Sequence, residues 1–271
     1  MKQDQTSGFP GSNDHPNDQP YTILEGMTSL SALLSAKTTG INDRQISQVL
    51  FDRDKKAKKL REFRFLEAKS KEYGFSVTET EGSVIDSLTS GATHGGIIAL
   101  CGDRTIPALT KEFLRPDGFY VMLEGIEDPY NFGYALRSLY AAGVDGIILS
   151  PRNWMTAAGT VARASAGASE LFDMAVAAPG EACDLFRSAG YTVLCAGIRD
   201  SVSVFDETFK KPVFLIVGGE KRGISAAVLV KADKIVRIDY GTNYRGNSFR
   251  GSLSAASAAS VLAFEILRQN R

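Results

Sequence analysis

The sequence predicts an α/β protein whose C-terminal half is a mostly parallel sheet covered on both faces, preceded by a smaller α/β unit. Three observations predict it. Short apolar runs rich in β-branched residues alternate with helix-patterned segments along most of the chain. The strands of the second half are continuously apolar, which is the habit of parallel strands buried on both faces. Three segments there also place glycines and polar side chains where strands end, the edge at which open parallel sheets bind ligands.

Residues 1–20 are Gly, Pro, Asn, Asp and Gln with almost nothing to bury, and read as a flexible tail. Residues 21–103 read as the smaller α/β unit. TSLSALLSAK puts Leu30, Leu33 and Leu34 on one helical face, with Thr28 or Ser29 available as a cap. ISQVLFD, FSVTETE and GGIIALCG read as strands. Between the first two, residues 55–73 form a charged amphipathic helix with Leu60, Phe63 and Leu66 inward. Residues 104–117 are a connection broken by Pro107 and Pro116. Residues 118–271 are the larger unit. FYVMLEGI, VDGIILS, YTVLCAG, VFLIVGG and KIVRID read as strands, ALRSLYAAG and the stretches near 157–166 and after Ser225 as helices, and residues 252–267 as a long final helix.

Composition narrows the function classes. Lys+Arg and Asp+Glu number 31 each, so any nucleic-acid surface has to be a local patch. The three cysteines, Cys101, Cys183 and Cys195, are far apart with no C-x-x-C pair, as expected of reduced thiols in the cytosol. With only His15 and His94, a zinc site or a serine–histidine triad is poorly supplied. No apolar stretch reaches the roughly 20 residues that span a bilayer, and the N-terminus lacks an apolar secretory core. A cytoplasmic protein with neither metal nor membrane partner is expected.

The three strand-end segments carry the candidate chemistry. In EGIEDPYNFGYALR, Pro129 and Gly133 bracket a turn, Asn131 sits at its tip and Arg137 lies on the following helix. Locally, Asp128 and Asn131 are equally readable as helix caps. In FLIVGGEKRGIS, Gly218 and Gly219 after a buried strand allow close backbone approach, and Glu220 projects a carboxylate. Its G-G-x-x-x-G spacing is not the dinucleotide G-x-G-x-x-G, which disfavours a nucleotide-cofactor oxidoreductase. In IDYGTNYRGNSFRGSLSAASAASVLAFEI, a polar glycine-rich loop precedes a helix of very small residues. Such a helix packs closely, against a ligand or merely against another element.

Together the three segments resemble the SpoU/TrmH branch of the SPOUT RNA methyltransferases, in the family's order and spacing, over roughly 150 residues from Phe119. EDPYNFGYALRSLYAAG is similar to the first family motif, LIVGGEKRGIS to the second, and IDYG with SLSAASAASVLAFE to the third. VARASAGASEL is similar to the connecting segment. The resemblance implies an α/β-knot fold with a deep trefoil knot, a homodimer, and transfer of a methyl group from S-adenosyl-L-methionine to a ribose 2′-hydroxyl. It implies cofactor contacts from Gly218, Gly219, Ile238, Gly241 and Leu253. It places Asn131, Arg137, Glu220, Ser252 and Ser254 at the reaction centre. One position departs: the family reads Ser-Leu-Asn where this chain has Ser252-Leu253-Ser254, and serine lacks the amide's two donors.

The first unit resembles the small ribosomal-protein-like RNA-binding domain found before the catalytic domain in several rRNA 2′-O-methyltransferases, through LEGMTSLSALL and THGGIIAL. This implies 23S rRNA, in a single-stranded loop whose base edges are accessible. Lys56 and Lys59, on the charged helix, are candidate phosphate contacts alongside Arg137; a solvated helix face is the alternative. The competing readings are a non-catalytic RNA-binding or ribosome-assembly protein on the same fold, and a tRNA 2′-O-methyltransferase.

Overall fold

The computed structural model describes residues 21–89, 91–151, 157–219 and 223–271. The expected tail, residues 1–20, and Glu220 lie outside the described residues.

The first unit is a four-stranded sheet with three helices. In chain order it comprises β1 (Thr22–Glu25), α1 (Gly26–Thr39), β2 (Ile46–Asp52), α2 (Leu60–Tyr73), β3 (Ser76–Thr80), α3 (Gly82–Leu88) and β4 (Ile97–Cys101). The strand order is β1-β4-β2-β3; β4 runs antiparallel to both neighbours and β3 parallel to β2. Leu30, Leu33 and Leu34 of α1 join Val49, Phe51, Phe63 and Leu66 in its core, as their spacing predicts. Two expectations fail here. Helix α1 starts directly after β1 at Gly26 with no side-chain cap, and Ser29 is buried instead of capping. Helix α2 starts at Leu60, because Asp52 accepts the Asp54 amide and pairs with Lys55, winding residues 53–55 into a 3-10 turn. Leu60, at the helix start, is 41% exposed rather than inward.

The second unit comprises β5 (Phe119–Glu124), α4 (Pro129–Ala141), β6 (Gly146–Leu149), α5 (Ala158–Ala164), α6 (Ala168–Leu171), β7 (Asp173–Val176), α7 (Pro179–Ser188), β8 (Thr192–Ala196), β9 (Val202–Ser203), β10 (Val213–Gly218), α8 (Ala226–Leu229), β11 (Lys234–Arg237) and α9 (Ala255–Gln269). The seven strands lie in the order β7-β6-β5-β10-β8-β11-β9, every pairing parallel. The continuous apolar runs are explained by cover on both faces. Phe119, Val121 and Leu123 of β5 face Leu136 of α4 and Leu262 of α9. Tyr120 and Met122 face the opposite way, toward Phe186 of α7, whose ring stacks on Phe214 at 4.0 Å. Because β10 inserts beside β5 after the chain has built β6 to β9, the two central strands come from segments far apart in sequence.

The units are joined by buried polar contacts. Arg44 and Glu170, each side chain 3% exposed, pair at 3.1 Å, and Asn42 donates to the same carboxylate oxygen at 2.8 Å. Arg104 donates to the carbonyls of Ser169, Phe172 and Ile41. The connection itself is pinned to the sheet edge, since Pro107 accepts from the Val176 amide and Leu109 donates to the Val176 carbonyl. A Cβ on Gly159 would come within 2.3 Å of the Ile23 carbonyl oxygen, so backbone meets backbone there, and one on Gly167 would come within 2.5 Å of the Ala32 methyl.

Candidate functional site

A cavity of about 560 Å³ opens at the carboxyl ends of β8, β10 and β11. Three chain segments wall it. The first follows β8 and includes Gly197, Ile198 and Arg199; the second is Val217 to Gly219 with Gly223 and Ile224; the third is Ile235 to Tyr240 with Ser252 and Leu253. The walls are largely apolar, with Arg199, Arg237, Asp239, Tyr240 and Ser252 as the polar residues among them. At the mouth, Asp239 is exposed and pairs with Arg237 at 2.8 Å. A side-chain hydrogen bond from Ser203, and then Arg237, hold its carboxyl below the usual range.

The glycines after β10 serve the protein's own backbone. A Cβ on Gly218 would lie 2.5 Å from the Gly223 carbonyl carbon, and one on Gly219 2.2 Å from the Gly125 oxygen. Gly219 donates to the Glu124 carbonyl at 2.6 Å and accepts from the Gly223 amide at 3.0 Å. Gly219 is thus set flat against the loop after β5, which brings the first two motifs together. Glu124 ends β5 beneath this crossing. Burial raises its carboxyl pKa, partly offset by the Ser225 amide, and among the described residues its Oε2 has no hydrogen-bond partner.

Helix α4 begins at the same sheet edge. Asp128 is its cap, accepting the Asn131 amide at 2.7 Å, and Pro129 occupies the first turn. The capping reading of Asp128 therefore holds, while the Asn131 side chain stays half-exposed on the first turn and Arg137 is exposed further along. The small-residue helix α9 packs beside α4. It begins at Ala255, three residues later than expected, because Ser254 is its cap and accepts the Ser257 amide at 3.1 Å.

Residues 118–264 match the SpoU rRNA Methylase family. The chain belongs to the SpoU rRNA Methylase family. A protein of Staphylococcus haemolyticus named as a TrmH family tRNA/rRNA methyltransferase is 31% identical over 209 residues, covering 74% of this chain and 80% of that one. Among solved structures, an AdoMet-bound rRNA methyltransferase from Sinorhizobium meliloti superposes with a TM-score of 0.74 at 24% identity, over 92% of this chain and 87% of that one. A structure described as an RNA 2′-O ribose methyltransferase gives 0.71 at 22% identity, over 93% and 89%. At those identities the likeness establishes the fold, across both units.

Within this SpoU-family chain, the structure gathers Gly218, Gly219, Ile238, Ser252 and Leu253 around one cavity. Gly241 is exposed just beyond the cavity, and Asn131, Arg137 and Ser254 stand outside its wall. Lys56 pairs with Glu79 at 2.5 Å and lies over the Phe63 ring, and Lys59 donates to the Gly95 carbonyl at 2.7 Å. Both ammonium groups thus have partners within the first unit. Along the same stretch Arg53, Lys58, Arg61, Arg64 and Lys71 are exposed. Sequence reasoning missed Gly197, Ile198 and Arg199; the glycine ending YTVLCAG was the available signal. It also missed Tyr240, whose hydroxyl accepts the Leu253 amide at 3.0 Å and closes the third wall. Among the described residues no helix is long and apolar enough to cross a membrane, and no cluster of His, Cys, Asp or Glu is arranged to hold a metal.

Proposed function

We propose that this protein methylates a ribose 2′-hydroxyl of ribosomal RNA, with S-adenosyl-L-methionine as donor, and that the target lies in a single-stranded loop of 23S rRNA. The observation that carries the reading is the cavity built jointly by the second and third motifs at the carboxyl edge of the sheet. Its volume falls within the range of about 300–1,000 Å³ typical of cofactor sites. Ile198, Ile235, Ile238 and Leu253 offer apolar walls to a flat base, and the carboxylate of Asp239 suits a cationic ligand. Residues of both motifs, Val217 to Gly219 and Ile238 to Leu253, face each other across it.

When bound, the cofactor supplies a methyl group already activated on a sulfonium, so the chain's own residues have to orient the acceptor and assist its proton loss. The guanidinium of Arg137 offers only hydrogen-bond donors and no acceptor, so it does not act as a base. Its role is to hold the phosphate next to the target ribose and stabilise the developing alkoxide. Asn131, on the capped first turn of α4, orients the ribose through its amide. The Ser252 hydroxyl in the cavity wall accepts from the 2′-hydroxyl, and Glu220 completes the centre. Gly218, Gly219, Ile238, Gly241 and Leu253 hold the cofactor mainly through backbone groups.

The preceding α/β unit supports rRNA over tRNA as substrate, and its rigid attachment through Arg44, Glu170 and Arg104 gives it a fixed position beside the catalytic unit. The return of α9 from beyond β11 to pack on α4 and β10 supports a knotted thread, and the exposed aromatic rings of Tyr134 on α4 and Phe264 on α9 support a homodimer along that helix pair. The cytoplasm is the compartment that fits. Arg137→Ala is expected to abolish methyl transfer while calorimetry shows nearly unchanged S-adenosyl-L-methionine affinity; retained turnover would remove Arg137 from the centre.

A further inference from the structure

Between β11 and α9 the chain forms a small ordered hairpin that the cofactor cavity does not explain. Thr242 and Ser248 bridge antiparallel, and their hydroxyls meet at 2.9 Å. Asn243 organises the turn: its side-chain oxygen accepts from the amides of Arg245 and Asn247 at 3.0 Å each, and Gly246 takes the left-handed conformation at φ 79°. A loop with this internal bonding holds its side chains in place, and what it holds outward is aromatic.

Tyr244 is 89% exposed and Phe249 61%. The Arg245 guanidinium lies over the Tyr244 ring and donates to its hydroxyl at 2.7 Å. Phe249 packs against Tyr240, ring centres 5.8 Å apart, and lies where a side chain on Gly251 would collide with it. Tyr240 in turn forms part of the cavity wall. The aromatic faces therefore lead outward from the cofactor cavity along one hairpin. The stretch 240–251 carries Arg245 and Arg250, no carboxylate and no aliphatic side chain. A protein-docking patch would add aliphatic surface around the rings; flat faces flanked only by cations and small polar residues suit stacked bases and their phosphates.

We propose that the hairpin is a base-stacking platform for single-stranded RNA, with Tyr244 and Phe249 receiving nucleotides that flank the methylated ribose and Arg245 and Arg250 meeting the backbone. The inference rests on the RNA-methylase reading for the nature of the ligand, but its test does not need methyl transfer. Full-length protein is titrated into a single-stranded RNA oligonucleotide carrying 2-aminopurine, whose fluorescence is quenched by stacking. The variant Tyr244→Ala/Phe249→Ala is expected to bind RNA about 10-fold more weakly or worse and to lose the quenching. Tyr244→Trp/Phe249→Trp should keep both. S-adenosyl-L-methionine affinity and sedimentation mass should not change in either variant. Unaltered RNA affinity in the alanine variant overturns the proposal, and so does a fall in mass, which would make the hairpin a contact between copies. If wild-type protein quenches the probe yet binds no S-adenosyl-L-methionine, the catalytic reading fails and the platform stands. If it binds the cofactor and methylates without quenching, the platform alone fails.

Discussion

Ser254 is where this chain departs from the family's Ser-Leu-Asn, and its position explains why the exchange is compatible with the fold. Its hydroxyl caps α9 by accepting the Ser257 amide. Serine and asparagine are about equally good caps, so the structural part of the asparagine's work is retained and only its amide donors are lost. Ser254→Ala is expected to lower stability by about 1 kcal/mol, measured by denaturant unfolding. Ser254→Asn should unfold at the wild-type denaturant midpoint and turn over at least as fast. A second residue-scale consequence concerns Glu124. Burial raises its carboxyl pKa in the folded state, so its contribution to stability is most favourable in acid and declines as pH rises through that raised value. Glu124→Gln should therefore melt higher than wild type at pH 8, with the gap closing toward pH 4. A gap that widens on acidification would mean that the carboxylate is a stabilising partner and not a buried liability.

At the scale of elements, what was legible followed the strength of the local signal. The apolar strands β5 and β10 and the small-residue helix α9 announce themselves, since their patterns run for many residues. Strands β1 and β7 have four residues each and exist because β4 and β6 pair with them, a non-local cause that no local pattern carries. Helix α7 buries only Ala182, Cys183 and Phe186, too few apolar residues to stand out, although Pro179 marks its first turn. The motif glycines were legible as functional punctuation, yet Gly218 and Gly219 are required first for backbone against backbone. Charge on a helix likewise says nothing of the partner it meets after folding, as Lys56 with the Glu79 carboxylate and Lys59 with the Gly95 carbonyl show. The buried Arg44–Glu170 pair was likewise invisible, its partners lying 126 residues apart. Removing one partner leaves an uncompensated buried charge, so Glu170→Ala should destabilise by about 3 kcal/mol or more. Thermal unfolding of the intact chain checks this, and a loss under about 1 kcal/mol would mean that solvent reaches Arg44 readily.

For the whole molecule, the polar seam between units makes the first unit a fixed arm, not a tethered one. That arm is fixed at the β7 side of the sheet, whereas the cavity opens at β8, β10 and β11; under the proposed function it selects which part of a folded RNA is presented. All three cysteines are free and buried, and burial pushes the thiols of Cys101 and Cys195 up to about 12, so none is placed to contribute to that chemistry. Methyl transfer to a ribose of rRNA is tested most directly by incubating purified protein with S-adenosyl-L-methionine labelled in the methyl group and with unmodified 23S rRNA, and then mapping 2′-O-methyl positions. Label is expected at a single ribose in a single-stranded loop, absent with Arg137→Ala. Cofactor binding without any ribose methylation, or label found only on bases, would contradict it.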